Sequence, residues 1–207
     1  MSVMAVFFAS FLYYGFNNWM PTILKNVFGL SNAKATLLTT LFPMVVYIGS
    51  VLSVVLCDKI KNDFLVLLIV SSIAAVVGFV LSYIYDVNVI LTVSVILSMG
   101  ILLRLLCNLF AVLTPLHIRE HMNSGKTSAL INSSASVAAA VSPSIIALVL
   151  DMSGGNWGTG FLMLFLFAII TVATCLTFYI FSKQRKNDMP KPIIRRKFAY
   201  TIKTRKK

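Results

Sequence analysis

Long apolar stretches, separated by short polar or charged interruptions, make up most of this chain up to Lys183. A helix rises 1.5 Å per residue, so about 20 apolar residues cross the hydrocarbon core of a bilayer. The pattern predicts six membrane-spanning helices, over residues 3–24, 35–57, 64–85, 88–114, 127–150 and 158–182. The stretches lack the alternation of apolar and polar residues that strands of a membrane barrel show. The sequence therefore predicts an all-α membrane protein.

The interruptions are short, so successive helices must alternate in direction, and the charges at their ends predict the orientation. Basic residues are retained in cytoplasmic loops. One set of helix ends carries most of them, namely Lys59, Lys61, Arg119, Lys126 and the C-terminal segment. The opposite set carries only Lys25 and Lys34. Both termini are therefore predicted to be cytoplasmic (N-in/C-in), in a multi-pass protein of the plasma (cytoplasmic) membrane.

The formal net charge of +12 comes mostly from the C-terminal segment, which holds eleven basic residues between Lys183 and Lys207. We divide the chain into a six-helix transmembrane bundle, residues 1–183, and a basic cytoplasmic tail, residues 184–207. Such tails are usually solvated and are attracted to anionic lipid headgroups. Nucleic acid is not an expected partner, because no folded scaffold presents these charges. The first helix lacks a basic leader and a cleavage site, so we interpret it as an anchor.

Arg104 is the one charged residue well inside a predicted span. It lies about 15 Å from the cytoplasmic end of its helix, near the middle of the bilayer. Burial there costs about 2.5 to 3.5 kcal/mol even on the lower scales, so the side chain needs protein, water or a ligand as a partner. A guanidinium favours anions such as carboxylate or phosphate, to which it donates two parallel hydrogen bonds. The alternative is that Arg104 snorkels towards the cytoplasmic headgroups.

Polar residues on the same helix and on two others complete a candidate substrate site. Asn108 shares a helix face with Arg104, one turn further on, and Tyr13 and Asn17 are likewise four residues apart. Asn132 is the most polar residue of a small-residue stretch, for which close helix packing is the competing interpretation. The candidate substrate-binding residues are therefore Arg104, Asn108, Tyr13, Asn17 and Asn132.

The sequence offers no convincing catalytic or metal site. His117, Glu120 and His121 match the H-x-x-E-H arrangement of some zinc peptidases, but they lie in a short loop without a third ligand. The three cysteines are isolated from one another, and none of the six acidic residues falls inside a predicted hydrocarbon core. We therefore expect no metal, no cofactor, no enzyme activity and no carboxylate proton relay.

Three motifs follow one another along the predicted helices. They are Tyr14-Gly15-x-x-x-Trp19-x-Pro21-Thr22-x-Leu24 with Phe28-Gly29-Leu30-Ser31, Gly49-Ser50 with Leu56-Cys57-Asp58-Lys59, and Asp151 with Trp157-Gly-Thr-Gly-Phe161. Together they resemble the C-terminal half of a major facilitator superfamily transporter, nearest to the organophosphate:phosphate antiporter (sugar-phosphate permease) branch, over residues 1 to about 183. The resemblance implies two inverted three-helix repeats, with Asp58 and Lys59 bracing the cytoplasmic gate.

The chain departs from the family pattern at positions that concern the gate and the substrate. Val54 and Lys61 replace two glycines of the gate signature. Tyr13 stands where the organophosphate antiporters have a phosphate-binding arginine. Arg104, on the helix that corresponds to the tenth of such a transporter, would supply a substitute charge from another wall of the cavity.

The resemblance implies secondary transport, for example antiport, of a small organic anion, with phosphorylated anions as one option. Alternating access needs two bundles rocking about a site near mid-membrane, whereas this sequence contains one bundle. Besides the substrate and membrane lipid, the expected partner is an N-terminal six-helix half or a second copy of the chain. The sequence would then be a fragment, a split subunit or half of a homodimer. The alternative function is a non-transporting sensor or interaction module, or an inactive fragment.

Overall fold

The computed structural model describes residues 2–59, 63–118 and 124–188, with side chains for residues 2–56, 64–114 and 125–181. Over these residues the chain is helical and contains no strand. The helices are α1 (Ser2–Phe28), α2 (Asn32–Thr39), α3 (Leu41–Lys59), α4 (Asp63–Ile84), α5 (Val89–Ile118), α6 (Ser124–Met152) and α7 (Trp157–Asp188). The all-α prediction is confirmed, and α7 continues beyond Lys183, where the predicted bundle ends.

Five stretches of the described residues are long and apolar enough to cross a membrane. They are Asn32–Leu56, Phe64–Ile84, Val89–Thr114, Gly125–Met152 and Trp157–Phe181. The first predicted span is not among them, because its tyrosines and asparagines make α1 less apolar than the others. At 27 residues α1 still has the length to cross, and it packs against α2, α5, α6 and α7. Its surroundings are thus mostly protein, which explains how it tolerates these polar residues.

Contacts between side chains fix the relative directions of the helices. Ser134 of α6 donates a hydrogen bond to the Val3 carbonyl of α1, and the Trp19 indole of α1 donates to the Pro143 carbonyl of α6, so these helices run parallel. The rings of Phe64 and Phe178, and those of Phe79 and Phe165, pair α4 with α7 in the antiparallel sense. α1 also packs against α5 and α7, and α4 packs against α5.

These pairings have the symmetry of an inverted repeat. The first repeat is α1 to α4 and the second is α5 to α7, so that α1 corresponds to α5, α3 to α6, and α4 to α7. This correspondence maps the packed pair α1–α6 onto the pair α5–α3, and the pair α1–α7 onto the pair α5–α4. The pairs α1–α5 and α4–α7 map onto themselves. The bundle is therefore built from two inverted three-helix repeats, as the resemblance to half of a facilitator-superfamily transporter implied.

Two ends of the bundle follow from these directions. At the proximal end α1, α4 and α6 begin, and α3, α5 and α7 end; the distal end is the opposite one. A core of small and aliphatic residues with Phe110 fills the bundle near the proximal end. A larger, more aromatic core, with Phe11, Phe16 and Phe161, fills the middle and the distal part.

The prediction was wrong about the first interruption, residues 25–34. α1 continues through Pro21 and stops only at Phe28, four residues beyond the predicted span. An internal proline removes one helical hydrogen bond, which membrane helices tolerate when neighbouring groups satisfy the freed carbonyl. Gly29 then ends the helix at φ 64°, a left-handed conformation that suits glycine, and its N–H donates to the Lys25 carbonyl at 2.9 Å.

The second predicted span is divided into two helices. Residue Thr40 separates α2 from α3, and its hydroxyl donates to the Leu37 carbonyl at 2.6 Å. A hydroxyl that bonds the preceding turn competes with the helical backbone bonds at that point. The division lies near the distal end and leaves α3 as the part of the span that packs against α5.

Candidate functional site

Arg104 belongs to α5 and contacts one residue from each of two neighbouring helices, α1 and α3. Its Nε donates a hydrogen bond to Ser50 Oγ of α3 at 3.2 Å. Its guanidinium carbon lies 5.7 Å from the centroid of the Tyr13 ring of α1, within the range of a cation–π interaction. Tyr13 is itself held between Tyr14 and Phe42, whose ring centroids are 5.0 and 5.8 Å away. Arg104 is thus positioned by neutral groups.

No carboxylate neutralises Arg104 among the side chains that the structure describes. Asp86 and Asp151 are the acidic residues in that set, and both lie at the distal end of the bundle. Arg104 is fifteen residues past Val89, or about 22 Å along α5 from that end. The guanidinium charge is therefore held near the middle of the bundle without an anionic partner from these residues.

A groove of about 330 Å³ runs between α3 and α5 beside this arginine. Ser50 and Asn108 line it from opposite sides, together with Tyr47, Ser53 and Ala111. Ser50 therefore both contacts Arg104 and lines the groove. Within the described residues the Asn108 amide has no hydrogen-bond partner, so its donors and acceptor are available to a ligand or water in the groove.

Tight packing of α3 on α5 holds this arrangement. A Cβ on Gly49 would collide with the Ile101 carbonyl oxygen and lie 3.2 Å from Leu105 N. A Cβ on Gly100 would lie 2.7 Å from Val46 Cγ2. Both glycines allow the two backbones to approach, and this approach brings Ser50 within hydrogen-bond distance of Arg104.

The other predicted residues of α1 and α5 lie on either side of Arg104. Contacts of Ser10 with Cys107 and of Tyr13 with Arg104 show that α1 and α5 are antiparallel. Asn17 is consequently one turn, or about 6 Å, towards the distal end, and Asn108 is one turn towards the proximal end. The structure thus brings Tyr13 and Arg104 together, with Asn108 in the adjoining groove and Asn17 on the opposite side.

Asn132 does not join this cluster. It is exposed on α6, two residues before Ser134, whose hydroxyl donates to the Val3 carbonyl at 2.8 Å. Tyr13 is ten residues further along α1 than Val3, so Asn132 lies roughly 15 Å closer to the proximal end than Tyr13 does. Any substrate contact of Asn132 would therefore lie at a different depth in the membrane from those of Tyr13 and Arg104.

The predicted gate pair and the peptidase-like motif lie outside the described side chains. The backbone of Asp58 and Lys59 belongs to the last turn of α3. His117, Glu120 and His121 cannot be placed beyond the helical backbone of His117. Among the described residues no group of three or more histidine, cysteine, aspartate or glutamate side chains could hold a metal ion.

Sequence reasoning missed Ser50 as a member of the site. It entered only as part of the Gly49-Ser50 motif, where glycine and serine indicate close helix packing. The available signal was a polar residue next to a glycine in a span that is otherwise apolar. Its partner was not predictable, because pairing Ser50 with Arg104 requires the register between α3 and α5.

The fold and this site define an integral, multi-pass membrane protein with a cationic centre inside its helix bundle. The sequence matches the family model of the Major Facilitator Superfamily over residues 2–205, so the chain belongs to that superfamily. Membership indicates a membrane transporter that acts on small molecules, and transporters of this superfamily are generally not enzymes. A comparison with curated proteins gives no match.

Proposed function

We propose that this chain is the C-terminal six-helix half of a secondary transporter for small organic anions, working by alternating access against a second bundle. The observation that carries the proposal is Arg104, a cation held near mid-bundle by the neutral partners Ser50 and Tyr13. A half-buried charge that has no counter-ion among the described side chains is costly in a membrane, whereas an anionic substrate would compensate it.

The hydrogen-bond geometry supports an anion with at least two acceptor oxygens. Nε of Arg104 is occupied by Ser50, which leaves the two terminal nitrogens of the guanidinium for a carboxylate or a phosphate. The Ser50 hydroxyl accepts this bond and, among the described residues, has no acceptor for its own proton. Asn108 adds amide donors one turn away along α5. Phosphorylated anions remain one option, in line with the resemblance to the organophosphate antiporters.

The contacts of Arg104 argue against snorkelling as its main role. Side chains on a helix lean towards the helix N-terminus, and for α5 this direction is away from the proximal end. Tyr13 and Ser50 hold the guanidinium by contacts from the neighbouring helices α1 and α3. An arginine that reached for proximal headgroups would have to break both contacts.

The proposed mechanism requires a second bundle, and this chain has an exposed surface against which such a bundle can pack. The span that contains α3 is the least buried of the five, and it forms one wall of the groove. Exposed residues continue this wall, among them Tyr47 and Val54. An N-terminal six-helix half or a second copy of this chain would complete the cavity by packing over this side.

Flux measurements on Arg104 variants test the proposal. A C-terminal tag on the native gene and a blot of membranes first establish whether the chain alone or a longer product should be reconstituted. Proteoliposomes are then assayed for uptake of radiolabelled dicarboxylates and sugar phosphates. Arg104→Ala should abolish uptake of the transported anion, by about a hundredfold or more, because a charge-assisted contact worth about 3 kcal/mol is lost.

Arg104→Lys serves as the matched variant, because it keeps the charge and removes the planar fork. Retained uptake in Arg104→Lys would indicate that charge suffices, and loss in both variants would indicate bidentate binding. Saturable anion binding without flux would instead favour the sensor alternative. Uptake that does not depend on Arg104 would contradict the proposed site.

A further inference from the structure

A second, half-enclosed pocket of about 200 Å³ lies at the distal end, separate from the Arg104 groove. It is formed where α1 and α6 end and α7 begins. Its walls include Trp19 and Asn26 of α1, Leu150 and Asp151 of α6, Gly155 of the connecting turn, and Trp157 of α7. Asp151 is the only charged side chain that lines it. Nothing in the proposed anion site uses these residues.

The two indole rings form a corner of this pocket. Trp19 and Trp157 have centroids 5.8 Å apart and ring planes inclined at 65°. Trp19 is fixed by donating its N–H to the Pro143 carbonyl at 3.3 Å, and the Trp157 ring also lies against Phe161, 6.4 Å between centroids. Indole faces attract cations more strongly than other aromatic faces do, so a corner of two held rings suits a positively charged group.

The backbone around the pocket adds to its negative potential. The C-terminal ends of α1 and α6 both point at this end of the bundle, and a helix C-terminus carries partial negative charge, which Lys25 offsets in the last turn of α1. Asp151 lies in the last turn of α6, where a carboxylate is unfavourable, and that turn contains no basic residue to compensate it. The opposing N-terminus of α7 is capped, because Asn156 Oδ1 accepts the Gly158 N–H at 2.9 Å.

The turn between α6 and α7 keeps the pocket open. Gly154 and Gly155 have φ of 65° and 82°, a conformation in which larger residues are strained. Gly155 donates its N–H to the Leu150 carbonyl at 2.8 Å, which folds the turn back onto the end of α6. A Cβ on Gly155 would meet no other atom within 4 Å, so the turn leaves open space at the pocket wall.

From these features we propose that the distal pocket binds a small organic ammonium group, with Asp151 as its counter-ion and Trp19 and Trp157 as its aromatic walls. The volume is below the range of about 300 to 1,000 Å³ in which drug-sized ligands bind, so the pocket takes a headgroup-sized cation. The same ammonium chemistry occurs in free amines and in amine-bearing lipid headgroups. The proposal does not depend on anion transport.

The chain provides its own reporter for this site. Trp19 and Trp157 are its two tryptophans, so intrinsic tryptophan fluorescence comes from the pocket walls alone. The full 207-residue chain, purified in detergent, is titrated with tetramethylammonium chloride at constant ionic strength. A saturable change in emission is expected, whereas sodium chloride at the same concentrations should produce none.

Asp151→Asn is the decisive variant, and Asp86→Asn is its matched control. Both remove one exposed carboxylate from the distal end, but Asp86 does not line the pocket. Asp151→Asn should weaken tetramethylammonium binding by about tenfold or more, because the cation loses its charge partner. Asp86→Asn should bind like the unmodified chain. Helical circular dichroism confirms that each variant is folded.

Three results of these titrations would overturn the proposal, and the tryptophan variants add a fourth. The three are the absence of a saturable signal in the unmodified chain, an equal affinity in Asp151→Asn, and an equal response to sodium. Trp19→Phe and Trp157→Phe leave one reporter each, so they show whether both rings sense the same event. A signal in only one of them would contradict the two-walled pocket.

A lipid arm of the experiment separates the two sources of ammonium. The chain is placed in nanodiscs of phosphatidylglycerol alone, or of phosphatidylglycerol with phosphatidylethanolamine, and titrated again. A severalfold weaker apparent affinity in the second case would mean that the lipid amine competes for the pocket. Equal affinities would assign the pocket to soluble cations.

Discussion

At the scale of single residues, the arrangement around Arg104 depends on one hydroxyl. Ser50 accepts a hydrogen bond from Nε and lines the groove that Asn108 also faces. The bond orients the guanidinium so that its other donors can contact a ligand. The Tyr13 ring packs against one side of the guanidinium. Ser50 is therefore a positioning residue, and its effect on substrate should pass mainly through Arg104.

Ser50→Ala should weaken anion binding without unfolding the protein. A hydrogen bond to a charged group contributes about 1.5 to 3 kcal/mol, so the loss should raise the half-saturating anion concentration by about tenfold or more. Ser50→Thr, which keeps a hydroxyl, should recover part of the affinity. The measurement is the concentration dependence of uptake, or of anion binding, in reconstituted protein.

Ser53→Ala is the matched control for that change. Ser53 lines the same groove one turn away, but its hydroxyl donates to the Ser50 carbonyl at 2.7 Å and does not contact Arg104. Its removal should leave the anion dependence almost unchanged. If both alanine variants weaken binding equally, the groove as a whole and not the Ser50–Arg104 bond determines affinity.

At the scale of helices, the close contact between α3 and α5 decides where the polar residues meet. The two helices run parallel, since Val46 contacts Gly100 and Ser50 contacts Arg104 at the same sequence offset of 54 residues. Gly49 lies at the closest point, against the backbone of Ile101. A helix pair packed backbone to backbone cannot absorb a new methyl group by moving a side chain.

Gly49→Ala should therefore destabilise the bundle, although alanine is the better helix former. The new methyl group must displace the α5 backbone, and overpacking of this kind costs about 1 to 3 kcal/mol. The control is Gly78→Ala on α4, where the added Cβ would lie 3.6 Å from Met99 Cε, an ordinary contact. Thermal unfolding in detergent should show a lower Tm for Gly49→Ala and an equal or higher Tm for Gly78→Ala. Equal stability of the two variants would contradict the tight α3–α5 contact.

The sequence predicted the spans better than it predicted the site, for a physical reason. Apolar length alone identifies a membrane helix, so residues 64–85 and 88–114 were placed almost where α4 and α5 lie. The end of α1 was placed four residues too early, because Lys25 and Asn26 are polar and yet belong to the last turns of the helix. Arg104 was found because a charge inside a span is rare. Its partner Ser50 and the remoteness of Asn132 depend on helix register, which no local pattern encodes.

At the scale of the whole molecule, the inverted repeat relates the two ends of the bundle. Arg104 lies near the middle of α5, between a proximal end whose predicted loops are basic and a distal end that carries Asp86, Asp151 and the tryptophan pocket. An asymmetric charge distribution of this kind orients a membrane protein. The orientation also decides from which side the distal pocket can be reached.

Cysteine labelling gives the orientation directly. In a chain whose three native cysteines are replaced, Met152→Cys places a thiol at the distal end, where Met152 is 81% exposed, and Lys207→Cys places one in the predicted cytoplasmic tail. Because basic segments are retained in the cytoplasm, a membrane-impermeant maleimide should label Met152→Cys in intact cells and Lys207→Cys only after permeabilisation. The reverse pattern would place both termini outside and would make the distal pocket face the cytoplasm. Labelling of both thiols in intact cells would mean that α7, the helix between the two positions, does not cross the membrane, and would contradict the topology of the bundle.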